Sequence, residues 1–222
     1  MELLPISKAE AARYMGVKGE PDSAVLELLD RAEKQVREAL CPKYVYIETD
    51  ISVTEEGVLL EAMKEPLTGE DIRRHLKGCD KAVLLAATLS QEADKLIRQA
   101  AVTNMAYSLA LDCICSAAIE QVCERAEKEI FSKLSAPYRT WRFSPGYGDL
   151  PLTLQRGFLL ALNAQRRIGL TATDSSLLIP SKSVTAVIGI SDAPVNKGSR
   201  SCAVCTMKDS CAYRLSGIIC KK

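Results

Sequence analysis

The sequence predicts an α+β protein, and three observations carry that prediction. Helical and strand-like blocks are interleaved without the regular strand-helix-strand rhythm of a parallel sheet. From Ser90 to Lys133 the chain contains neither glycine nor proline and keeps a helical pattern throughout. Between and after the helical blocks, KYVYIETDI, KAVLLAATL and SLLIPSKSVTAVIGIS are rich in β-branched or apolar residues and bounded by turn formers.

The elements follow in order. Ser7 with Glu10 makes a capping box ahead of AEAARYM, and Gly16 stands where a C-terminal glycine closes a helix. Asp22 caps a second helix, in which Val25, Leu28, Leu29, Ala32, Val36 and Leu40 recur at helical spacing, so that face is buried. KYVYIETDI, a turn at Thr54 to Gly57 and VLLEAM read as a meandering strand pair. Thr68 opens the helix GEDIRRHLKG, closed by Gly78, and KAVLLAATL reads as a fully apolar strand or as the start of the helix that follows. One or two long helices fill Ser90 to Lys133, with YSLALDCICSAAIEQV apolar nearly all round and therefore central. Beyond Ala136, YRTWRFSPGYGDLP reads as strand then turn, and LTLQRGFLLALNAQ as one amphipathic helix. SLLIPSKSVTAVIGIS reads as two short strands across a turn.

The 222 residues favour one large domain or two small ones. With 47% apolar and 26% charged residues, disorder, collagen-like repetition and coiled-coil architecture are disfavoured. The longest apolar stretch, Met105 to Ile119, is interrupted by Asp112 and shorter than a bilayer span, so no membrane helix is expected. The start MELLPISKAEAARY does not read as a secretory signal, which makes the cytoplasm the expected location. Charge is divided unevenly. Residues 1–136 hold 17 Lys+Arg against 24 Asp+Glu, a net of −7, and residues 137–222 hold 12 against 4, a net of +8. The basic half suits an anionic ligand or a docking surface, or simply packs against the acidic half. Its basic residues are scattered and aromatics are only 5%, which argues against nucleic acid.

Nine cysteines fall into two populations. Cys41, Cys79, Cys113, Cys115 and Cys123 sit singly or on apolar helical faces, where a reduced thiol acts as a small hydrophobe. Cys202, Cys205, Cys211 and Cys220 form a compact C-terminal cluster. Its Cys-x2-Cys start is the chelate spacing of zinc and iron-sulfur sites, and free thiols or a redox pair are the alternatives.

The most informative stretch is Arg142-Phe143-Ser144-Pro145-Gly146-Tyr147-Gly148-Asp149-Leu150-Pro151. Pro145-Gly146 supplies the middle of a type II turn, because proline presets φ and glycine accepts a positive one. Its glycines let a ligand approach the backbone, Arg142 offers a planar fork for a carboxylate or phosphate, and Tyr147 offers a ring face. Such a set suits a small molecule with one anionic and one aromatic end; a plain structural turn with a surface arginine is the bland alternative.

Arg142-x-x-x-Gly146-Tyr147 and Pro151 are followed by Ile168-Gly169-Leu170, Thr173-Asp174-Ser175, Pro180 and Ser183-Val184-Thr185. Together they resemble the reactivation domain of cobalamin-dependent methionine synthase, and the whole chain is similar to free-standing bacterial proteins of that family. The resemblance implies the activation-domain fold, with long central helices packed on a small, mainly antiparallel sheet. The implied organisation is an N-terminal helical and small-strand region over 1–88, a reactivation-like core over 89–195 and the cysteine-rich tail over 196–222. It also implies S-adenosylmethionine binding, with Arg142 on the methionine carboxylate and Ser144, Gly146 and Tyr147 lining the pocket. Ser116 stands where the family has an acidic residue, and Glu120 follows one turn later as the candidate substitute. The tyrosine that the family places after its last strand is absent, the chain running instead into Ser201-Cys202. The implied role is accessory, within a methionine synthase methyltransferase system: reductive remethylation of cob(II)alamin on a separate corrinoid protein, with an electron from a flavodoxin or ferredoxin. The rival reading is an iron-sulfur or zinc module for electron transfer or sensing, held by Cys202, Cys205, Cys211 and Cys220.

His75, the sole histidine, shares a helical face with Asp71 and reads as a residue of a surface helix with no catalytic partner.

Overall fold

The structure, a computed structural model, describes residues 1–134 and 137–195. These form two compact units, one from residues 1–46, 85–134 and 159–185, the other from residues 47–84, 137–158 and 186–195. The tail cysteines lie outside the described residues.

The first unit is built on helices. α1 (Lys8–Tyr14) starts at Ser7, whose Oγ accepts from the Glu10 N–H at 3.2 Å, and Gly16 follows it with φ of 81°. α2 (Ser23–Ala39) starts at Asp22, whose carboxylate accepts from the Val25 N–H at 2.8 Å. Both caps are those the sequence predicts. The long helical block divides into α4 (Gln91–Thr103) and α5 (Met105–Lys133) at Asn104, which ends one helix and caps the next by accepting from the Tyr107 N–H at 2.9 Å. α1, α2 and α4 all pack on α5, whose Leu111, Ile114, Cys115, Ala118 and Val122 are buried together with Leu29, Ala32 and Val36 of α2. α5 is the one described helix long and apolar enough to cross a bilayer, and 67% of its apolar window is buried within the protein, as expected of a core helix.

Two expectations for this part of the chain are corrected. The helix predicted from Leu152 is broken: a short 3-10 turn leads into α6 (Gln155–Ala161), and α7 (Ala164–Ile168) follows after Asn163, which sits at φ of 49°. Asparagine enters this left-handed conformation at low cost, and the chain turns there. Second, the strand β6 (Leu178–Ile179) does not pair with the strand after it. It pairs antiparallel with β5 (Thr171–Ala172), Thr171 opposite Ile179, across a turn closed by the Ser176 N–H to the Thr173 carbonyl. Residues 185–191 of the following strand are all buried, a position that only a larger sheet provides.

That larger sheet is drawn mainly from the second unit. β1 (Lys43–Val53), β2 (Val58–Leu60), β3 (Lys81–Thr88), β4 (Tyr138–Arg139) and β7 (Ser183–Ser191) all contribute to it, in the order β2-β1-β3-β7-β4. β1 and β2 are the predicted antiparallel pair, Ile51 opposite Leu60. β3 is buried from Ala82 to Thr88, which explains its unbroken apolar sequence. α3 (Glu70–Leu76) lies against this sheet: a Cβ on Gly189 of β7 would fall 2.8 Å from Leu76 and 2.6 Å from Cys79 Sγ, so only a glycine admits the end of α3 this closely.

Candidate functional site

β4 leads into the stretch that the sequence singles out. Tyr138 and Arg139 oppose Ser191 and Ile190, whereas Phe143 opposes Val187, so the pairing slips by one residue between them. One extra residue on this strand is a β-bulge, lying at Trp141 and Arg142. Within it Gly189 donates its N–H to the Thr140 hydroxyl at 2.9 Å. The bulge also turns the Trp141 carbonyl out of the ladder, and His75 Nε2 reaches it at 2.8 Å. A carbonyl only accepts, so Nε2 carries the proton.

After Phe143 the chain closes on itself. The Tyr147 N–H donates to the Ser144 carbonyl at 3.0 Å around Pro145 and Gly146, and Gly146 has φ of 85°, as position three of a type II turn requires. The Gly146 N–H donates to the Leu150 carbonyl at 2.8 Å, and Gly148 has φ of 56°. Arg142 and Ser144 are half-buried, while Gly146 and Tyr147 are exposed, Tyr147 at 54%. Beneath Tyr147 is an aromatic cluster. Trp141 and Phe143 stack at 5.3 Å, Tyr147 stands edge-on to both, and His75 lies 4.3 Å from Trp141 and 5.1 Å from Phe143. The turn therefore presents one guanidinium, one ring and two left-handed glycines on a short, internally bonded loop.

His75 corrects its sequence reading. It is 7% exposed rather than on a surface helix, and its i,i+4 partner Asp71 lies beside Gly148, where a Cβ would come within 2.5 Å of Asp71 Oδ2. The spacing to Asp71 is legible in the sequence, but the neighbours Arg73, Arg74 and Lys77 disguise the buried face.

Glu120, the remaining predicted site residue, belongs to the first unit. It lines a groove of about 390 Å³ together with Tyr14, Asp112, Cys113, Ser116 and Lys182. Lys182 Nζ lies 2.8 Å from Asp112 Oδ1 and 2.9 Å from Ser116 Oγ. Ser116, standing where an acidic residue was expected, thus shares a lysine with the aspartate one turn before it. The Lys182 backbone is held by the Leu89 N–H donating to its carbonyl at 2.9 Å. Burial first, then the carboxylates of Glu10 and Glu120, pushes the Tyr14 phenol up to about 12, so it stays neutral. Burial likewise pushes the Cys113 thiol up to about 11, which removes it as a nucleophile. Nothing in local spacing points to Lys182.

The core thiols behave as predicted in four of five cases: Cys79, Cys113, Cys115 and Cys123 are buried and Cys41 is exposed. Among the described residues no group of three or more His, Cys, Asp or Glu is placed to hold a metal ion. Cys202, Cys205, Cys211 and Cys220 lie outside the described residues.

The fold is similar to the crystal structure of the MetH reactivation domain bound to AdoHcy, with a TM-score of 0.65 and 14% sequence identity over 96% of this chain and 82% of that one. The chain has the MetH reactivation-domain fold. No family model matches the sequence, and no curated protein matches it. The reactivation-domain fold agrees with the predicted α+β class, helices on a small antiparallel sheet.

Proposed function

We propose that the chain binds S-adenosylmethionine on the turn from Arg142 to Tyr147 and assists reductive remethylation of cob(II)alamin on a methionine synthase or another corrinoid protein. The observation that carries this reading is the likeness of the whole fold to a reactivation domain bound to AdoHcy, with the type II turn formed as the sequence requires. The donor set fits such a ligand. Arg142 supplies a charged fork for the methionine carboxylate. Ser144 contributes backbone, Gly146 keeps the loop free of a side chain, and the exposed Tyr147 ring gives an apolar face.

When bound, S-adenosylmethionine would supply the methyl group by breaking its S–CH3 bond and leaving as S-adenosylhomocysteine, and the partner's cob(II)alamin, reduced by one electron from a flavodoxin or ferredoxin, would accept it. The chain's own share is positioning: holding the donor rigidly converts a chance encounter into an oriented one. The partner is a separate corrinoid-carrying methyltransferase, and the role is that of an accessory subunit.

Calorimetric titration with S-adenosylmethionine tests the reading. Saturable binding is expected, and Arg142→Ala is expected to weaken it by more than about 1.5 kcal/mol, the scale of a charge-assisted hydrogen bond. Equal affinities for mutant and wild type would remove Arg142 from the carboxylate contact, and no binding by the wild type would remove the methyl-donor role. The spacing of Cys202, Cys205, Cys211 and Cys220 favours a second reading, a zinc or iron-sulfur module on a retained fold. Stoichiometric metal in anaerobically purified protein that binds no S-adenosylmethionine would select it.

A further inference from the structure

The two ends of the Arg142–Tyr147 turn are held by the same short helix. On the near side, the bulge frees the Trp141 carbonyl from the sheet and His75, at the last turn of α3, donates to it at 2.8 Å. That carbonyl belongs to the peptide unit whose nitrogen is Arg142, so the contact fixes the base of the arginine. On the far side, Asp149 directs its carboxylate at the start of α3 and accepts from the Glu70 N–H at 2.7 Å and the Asp71 N–H at 3.1 Å. Two glycines permit this approach. A Cβ on Gly69 would lie 2.5 Å from Asp149 Oδ1, and one on Gly148 would lie 2.5 Å from Asp71 Oδ2. α3 is itself anchored, with Ile72 and Leu76 fully buried and its end seated against Gly189 of β7.

We infer that α3 is a clamp on the ligand turn, with His75 and Asp149 as positioning residues that set the direction of Arg142 and the aspect of Tyr147. Neither needs to touch the ligand. The turn's own hydrogen bonds close its loop and Phe143 pairs with Val187 of the sheet, while the two contacts to α3 fix the bulge and the far end of the loop. Turned out of the ladder, the Trp141 carbonyl accepts from His75 on the opposite element and, at 3.3 Å, from the Thr140 hydroxyl. The carboxylate of Asp149 meets two N–H groups that have no partner within the helix.

The geometry of the clamp stands without any ligand, while its effect on affinity rests on the proposed S-adenosylmethionine site, and the experiment separates the two. In the full chain, His75→Phe keeps the aromatic packing and removes the donor, whereas His75→Gln keeps an N–H near the position of Nε2. Asp149→Ala removes the acceptor, and Asp149→Asn keeps one. Leu29→Ala, in the core of the other unit, serves as a control for lost stability alone.

Hydrogen exchange at the Gly146 and Tyr147 amides reads the clamp directly. Exchange is expected to speed by roughly tenfold in His75→Phe and in Asp149→Ala, beyond any change in Leu29→Ala, with His75→Gln and Asp149→Asn returning most of the protection. S-adenosylmethionine affinity is expected to fall by roughly tenfold in the same two variants and to recover in the same two conservative ones. Wild-type exchange in His75→Phe and Asp149→Ala, or a rise no greater than in Leu29→Ala, overturns the clamp. So does unchanged affinity in variants of a wild type that binds. A wild type that binds no S-adenosylmethionine sinks the proposed site, and the exchange result still decides the clamp.

Discussion

The turn at Arg142–Tyr147 and the groove beside α5 both place charge next to open space, but they are built in opposite ways. The turn is made by backbone: three of its hydrogen bonds run between N–H and C=O groups of residues 144–150, and Gly146 and Gly148 hold positive φ. The groove is made by side chains from distant parts of the sequence, with Lys182 bridging Asp112 and Ser116 from 66 or more residues away. A backbone-built site tolerates little change at its glycines and much at its exposed side chains. A side-chain-built site tolerates replacement of any one member at modest cost. The contrast also bears on chemistry, because neither region presents an activated nucleophile among the described residues; both are suited to holding a ligand.

The largest effect expected from this contrast concerns the thiols around α5. Burial pushes Cys113 up to about 11 and Cys115 up to about 12, with the Asp112 carboxylate adding to burial and Lys182 opposing it. Relative to an ordinary thiol, such a shift removes roughly a hundredfold of the thiolate at pH 8, before access is considered. Residue-resolved alkylation at pH 8 is therefore expected to label exposed Cys41 more than about a hundredfold faster than Cys113. Labelling of Cys113 at a comparable rate would make the groove a reactive site and break the comparison. The sign for stability follows. The native state keeps protons that the unfolded thiols release above about 8.5, so unfolding free energy falls as pH rises from there towards about 11. Denaturant titrations at pH 8 and pH 10 check that direction.

A smaller effect is expected from the turn. Gly148→Ala places a residue with a side chain at φ of 56° and a Cβ 2.5 Å from Asp71 Oδ2. Asp71 also pairs with Arg74, which limits how far its carboxylate moves aside. The cost is expected to be about 1–2 kcal/mol, read as a lower denaturation midpoint with unchanged slope. Wild-type stability in this variant would mean that the approach of the turn to α3 is loose, and that the turn is not backbone-built in the sense above.

The same distinction explains how much of the molecule was legible in its sequence. The turn was legible because Arg142, Pro145, Gly146 and Tyr147 are contiguous and each states its own conformational need. The helix starts at Ser7 and Asp22 were legible for the same reason, since a cap is a local bond. His75 was not, because its burial depends on a bulge 66 residues later, and Lys182 was not, because nothing beside it names its partners on α5. The failures in secondary structure have the same cause. Asn163 breaks a continuous amphipathic pattern through its own backbone choice. The β6 strand turns back to β5 because its alternative partner is taken up by a larger sheet.

The smallest effect expected is in the groove, and it tests the comparison from the tolerant side. Lys182→Met removes the charge facing Asp112 and Ser116 while keeping the length and apolar stem of the side chain. Lys182 is 15% exposed at its side chain but Asp112 is 46% exposed, so water takes over the carboxylate once the lysine is gone. The Coulomb gain lost is that of a well-solvated pair, and the desolvation cost that the lysine paid is returned. Net destabilisation is expected below about 1 kcal/mol, less than for Gly148→Ala. A larger loss in Lys182→Met, measured by the same denaturant titration, would show that the ion pair organises α5 against the Ser181–Ser183 segment. The groove would then be as rigidly specified as the turn, through one side chain in place of a run of backbone bonds.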